Sequence, residues 1–131
     1  MRSVKSVLLL ALVVVGCSDA VAPQNVVGRW AQEIPFPGNS WEMELTLSGS
    51  NISGHGDWCG EAGPCGTILV TGTVSESNVH LDFVSTAQTP TVGSPVTSHF
   101  DGRLTSATTL RGAVTGDGSG ARSSMVTYHR E

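Results

Sequence analysis

The sequence predicts an all-β protein, an eight-stranded antiparallel up-and-down barrel, with a two-sheet β-sandwich as the alternative. Three observations carry this. Segments alternating apolar and polar residues with period two recur eight times, clusters of Gly, Ser, Thr, Asn and Pro separate them, and no segment offers a helical repeat. Charged residues make up only 14% of the 131, and 16 residues are glycine. That composition favours strands joined by tight turns and excludes a charged disordered tail.

Before the first strand, Arg2 and Lys5 precede an unbroken apolar run over 7–15 that ends at Gly16-Cys17. Such an order marks residues 1–16 as an export signal. The run is too short for a spanning helix, which needs about 20 apolar residues. Val14-Val15-Gly16-Cys17 resembles the lipobox of bacterial lipoproteins. The resemblance implies cleavage before Cys17, a diacylglyceryl thioether on its sulfur, and palmitate-type acyl chains that anchor the protein to membrane lipid. It also implies a place in the bacterial cell envelope, and Ser18 with Asp19 fits the outer membrane. An ordinary secreted protein with a cysteine near its start is the alternative. Residues 17–25 then form the lipidated cysteine and a tether, and 26–131 form one small domain. Once Arg2 and Lys5 leave with the signal, five basic residues face eleven acidic ones, which argues against nucleic acid as a partner.

Strands are expected at 27–34, 41–47, 52–58, 67–74, 79–84, 96–104, 110–115 and 122–129. The second is the clearest: Trp41, Met43, Leu45 and Leu47 alternate with Glu42, Glu44 and Thr46. The same rule turns Ile68, Val70, Val74, Val79, Leu81 and Phe83 inward, followed by Val96, Phe100, Leu104, Leu110 and Val114. It turns His80, Asp82, His99, Asp101, Arg103 and Arg111 outward. Closing eight such strands on themselves removes the exposed edges of a sheet.

In a meander, alternate connections lie at opposite ends. Residues 48–51, 75–78 and 105–108 are short polar turns and share a tight end. The longer connections at 35–39, 59–66, 85–95 and 116–120 share an open end. Both chain ends of the barrel then fall at the tight end, so a lipid tether leaves from there and the mouth points away from the membrane.

Gly28-Arg29-Trp30, at the start of the first strand and followed by a loop and seven more strands, resembles the Gly-x-Trp signature of the lipocalin and wider calycin group. The resemblance implies a cup for small apolar ligands, with Trp30 plugging the closed end. It also implies an arginine from the last strand region stacked on that tryptophan, for which Arg122 and Arg130 are the two candidates. The chain departs from the group in lacking its Thr-Asp-Tyr pattern and C-terminal helix, and in its shorter length.

Cys59 and Cys65 enclose five residues in one loop, and export places them where disulfides form. A structural bridge is the expected reading. A metal site formed with His55 and Asp57 is its rival, on a spacing that matches no zinc motif. No nucleophile elbow, phosphate-binding loop or paired-histidine zinc signature is present, so no catalytic residue, metal or cofactor is expected. His80 and His99 read as solvated surface histidines, and Glu42 and Glu44 as the wet side of an amphipathic strand. Apolar residues at the open end are more informative. Phe36, in Ile34-Pro35-Phe36-Pro37, would gather with Trp41 and Trp58 near the mouth, either to line a small-molecule site or to cap the core. The function expected is a non-enzymatic lipoprotein whose barrel binds a small apolar ligand. A filled barrel that serves as an envelope interaction or structural module is the alternative.

Overall fold

The computed structural model describes residues 26–34, 38–61, 65–87, 96–116 and 122–131. Cys17, its flanking signal and tether, Phe36 and the glycine cluster at 117–120 lie outside them. Eight strands form in chain order: β1 (Gly28–Gln32), β2 (Ser40–Ser48), β3 (Asn51–Cys59), β4 (Cys65–Ser75), β5 (Asn78–Ala87), β6 (Val96–Ser106), β7 (Thr109–Gly116) and β8 (Ser123–Arg130). Each pairs antiparallel with the next, and β1 pairs with β8, so the sheet is a closed up-and-down barrel. Closure excludes the sandwich. The seam is short: Trp30, Ala31 and Gln32 face Arg130, His129 and Tyr128. Main-chain bonds from Glu33 to Thr127 (2.8 Å) and from Glu131 to Arg29 (3.0 Å) extend it.

Alternation places the core where expected. Met43 and Leu45 on β2, Ile68, Val70 and Val74 on β4, Val79, Leu81 and Phe83 on β5, and Phe100 and Leu104 on β6 are all buried, with Leu110 on β7. Val96 departs from the expectation. It keeps the inward parity of β6 but stands at the strand's first position, at the open end, and is 61% exposed. Alternation assigns a face, and only depth within the barrel removes a residue from water.

The tight end carries three two-residue links, Gly49-Ser50, Glu76-Ser77 and Ala107-Thr108, as the parity of the loops requires. Gly49 and Glu76 take positive φ there (62° and 57°), the left-handed conformation that tight hairpins use. Trp30 closes this end. Its ring is fully buried, its Nε1–H donates to the Val26 carbonyl at 2.8 Å, and the Arg130 guanidinium carbon lies 4.6 Å from the ring centroid. Arg130 also donates through Nε to the Ala107 carbonyl at 3.0 Å and through a terminal nitrogen to the Val27 carbonyl. Gly28, at φ +129°, leaves the space for that guanidinium, since a Cβ there would meet it at 2.8 Å. The barrel is therefore lipocalin-like in its general shape, with Arg130 as the stacked arginine.

At the opposite end Cys59 and Cys65 form a disulfide that joins paired positions of β3 and β4. The bridge takes both thiols out of any metal site with His55 and Asp57. It closes a short loop, which in the chain-entropy account stabilises by about 2 kcal/mol. Urea denaturation of the Cys59→Ser, Cys65→Ser variant should show that loss with no change in strand content by circular dichroism.

Candidate ligand site at the open end of the barrel

Above the packed core, the inner wall opens into a cavity of about 290 Å³. Its apolar wall comes from four strands: Trp41 (β2), Phe83 (β5), Val114 (β7), and Val126 with Tyr128 (β8). Polar atoms enter from Gln32, Ser98, Ser124 and Arg122 around the rim. Such a mixture, mostly apolar with a few polar groups at the edge, is the composition of a small-molecule site. Trp41 meets Phe83 edge to face at 5.4 Å, and Phe100 meets Tyr128 in the same way at 5.6 Å below them. Burial pushes the Tyr128 phenol well above its ordinary range, so it stays neutral.

Trp41 lies in the cavity wall. Trp58 is its cross-strand partner on β3, set one strand further round the barrel with its indole over Gly66. A Cβ at Gly66 would lie 1.9 Å from the Thr86 carbonyl oxygen and 2.5 Å from Trp58 Nε1, so glycine leaves the room beside β4 that the indole occupies. The Nε1 atoms of both tryptophans are buried without a hydrogen-bond acceptor among the described residues. A buried donor left unpaired costs about 1–3 kcal/mol.

The outer wall carries a second constellation. His80-Leu81-Asp82 on β5 and His99-Phe100-Asp101 on β6 turn Leu81 and Phe100 into the core and their four polar residues outward. Antiparallel register sets His80 opposite Asp101 and Asp82 opposite His99, a two-by-two checkerboard. His80 Nδ1 lies 2.6 Å from Asp101 Oδ1, while His99 Nδ1 (2.5 Å) and His80 Nε2 (3.2 Å) converge on the same oxygen, Asp82 Oδ1. The two rings are nearly parallel, at 13°, with centroids 6.4 Å apart. These histidines belong to a connected cluster; reading them singly as solvated groups missed it. The repeated His-x-Asp triplet was the available signal.

The hydrogen bond to Asp101, aided by the charges of both aspartates, raises the His80 pKa above its ordinary 6.5. The bond from His99 chiefly holds Asp82 below its ordinary 3.8. Stability from His80 is therefore fully present below pH 6.5 and is lost as pH rises through the folded value. That from Asp82 is present above 3.8 and is lost as pH falls through its folded value. At this exposure each contribution is about 0.2–1 kcal/mol. An NMR titration should place the His80 midpoint above 6.5, and Asp101→Asn should move it back down.

Comparison of the chain with protein-family models, curated proteins and solved structures finds no match.

Proposed function

We propose that this protein is an extracytoplasmic, non-enzymatic lipoprotein, held to membrane lipid through Cys17, whose barrel takes up a small apolar ligand at its open end. The observation that carries the ligand reading is the cavity walled by Trp41, Phe83, Val114, Val126 and Tyr128 above a packed floor. Its volume of about 290 Å³ restricts the ligand to a small molecule. Val26 and Arg130 both lie at the closed end, so a chain tethered just before Val26 would hold its mouth away from the membrane. The lipobox resemblance supports the anchor and an outer-membrane address.

Both halves of the reading are testable. Intact-mass measurement of the purified protein should find the chain starting at Cys17 with acyl groups attached, and Cys17→Ser should incorporate no labelled palmitate. An unmodified Cys17 in the mature chain would overturn the anchor. For the ligand, titration with the lipophilic dye N-phenyl-1-naphthylamine should change the tryptophan emission. The change should shrink in Trp41→Phe and disappear in the double variant Trp41→Phe, Trp58→Phe, because the remaining Trp30 lies at the far end of the barrel.

A second reading, an envelope interaction or structural module, is favoured by the filled lower barrel and by Leu69 and Met125, both more than 60% exposed on the outer wall. It requires that the dye leave the emission unchanged.

A further inference from the structure

The checkerboard on β5 and β6 brings two imidazole nitrogens to one carboxylate oxygen, and this convergence exceeds what cross-strand ion pairing requires. Opposite charges on paired strands need one contact per pair, His80 with Asp101 and His99 with Asp82. Here Asp82 Oδ1 is shared by both histidines, and a ligand atom from each of His80, Asp82 and His99 lies within 4.8 Å of the other two. We propose that His80 Nε2, Asp82 Oδ1 and His99 Nδ1 form a surface site for a divalent transition metal of the zinc, nickel or copper class, with Asp101 orienting His80 from behind.

Bond lengths of about 2.0–2.2 Å from such an ion to nitrogen and oxygen set ligand atoms roughly 3.4 Å apart in a tetrahedral shell. The His80–Asp82 separation of 3.2 Å already fits. The His99–Asp82 pair, at 2.5 Å, must open by a small side-chain rotation. Asp101 supplies what a metal-binding imidazole usually has, a carboxylate on its other nitrogen that fixes the tautomer and the ring plane. With Nδ1–H committed to Asp101, the lone pair of neutral His80 is on Nε2, facing Asp82. Ion entry displaces the proton between His99 Nδ1 and Asp82 and, where His80 is charged, the proton on its Nε2. Imidazole and carboxylate suit this class of ion. The three side chains are 37–43% exposed, so water completes the shell. The strands fix the spacing: both histidines and both aspartates sit on paired positions of a closed barrel, so little ordering remains to be done on binding.

The test is calorimetric titration of the tag-free, chelator-treated protein with zinc sulfate and nickel sulfate. One equivalent should bind, and His80→Ala and His99→Ala should each weaken binding at least tenfold. Asp101→Asn, which leaves all three ligands in place, should weaken it by about 10–100-fold while the thermal midpoint falls by no more than about 5 °C. In the unaltered protein, nickel should broaden the imidazole resonances of His80 and His99 before those of His55 and His129. This last measurement does not depend on any variant folding. Absence of binding, binding indifferent to loss of His80 and His99, or broadening that begins at His55 or His129 would overturn the site. An unchanged affinity in Asp101→Asn would overturn the role given to Asp101.

Discussion

Trp30→Ala should cost about 3–5 kcal/mol in urea denaturation, the largest loss expected from any single substitution in the barrel. Trp30 heads the fully buried side chains by size, and it is the plug of the closed end. Alanine would leave a cavity, strand the Val26 carbonyl without its indole donor, and remove the ring beneath the Arg130 guanidinium. For a domain whose total stability is on the order of 5–15 kcal/mol, that loss brings the chain close to unfolding at ambient temperature. Trp30→Phe keeps most of the apolar volume and should cost about half as much. Arg130→Ala, which loses the stack and the bonds to Ala107 and Val27 while leaving the plug, should cost about 1–2 kcal/mol. Gly28→Ala should resemble Arg130→Ala, because its Cβ displaces the guanidinium and its φ of +129° is strained for any L side chain. If Trp30→Ala unfolded within 1 kcal/mol of the parent, the plug would not hold the closed end together.

At the other end, Ser98→Trp should weaken binding of a lipophilic probe at least tenfold while leaving the thermal midpoint within a few degrees. Ser98 is on the inner face of β6, opposite Phe83 and Gly116, and borders the cavity. An indole there projects into the cavity, so no neighbour among the described residues has to yield, yet it occupies much of the volume the ligand needs. The opposite pattern, unchanged probe binding with a destabilised fold, would mean that the probe sits elsewhere and that the inner wall at Ser98 is already filled.

These two ends differ in how far they could be read from the chain. Face assignment needs only period two, so Met43 and Leu45, or Leu81 and Phe83, are legible without any knowledge of their neighbours. Depth and partnership depend on register and closure. Arg122 and Arg130 share the parity of β8's inner face and are equal candidates to cover Trp30 until β1 meets β8. Closure then sends Arg130 to the plug and Arg122 to the rim of the cavity, a strand's length away. Trp41 and Trp58 are likewise equal by alternation, and the barrel alone sets Trp41 against Phe83 and Trp58 over Gly66. His80 and His99 were legible as outward residues. Their convergence on Asp82 depends on the one β5–β6 register that sets each histidine opposite an aspartate.

Native mass spectrometry of the protein purified from the envelope of a bacterial host tests the central claim, a barrel whose open end holds a small apolar ligand. The account predicts a reproducible added mass that disappears on denaturation and is missing from Ser98→Trp. A bare barrel, two hydrogens lighter than its reduced form and unchanged when lipophilic compounds are offered, would contradict it.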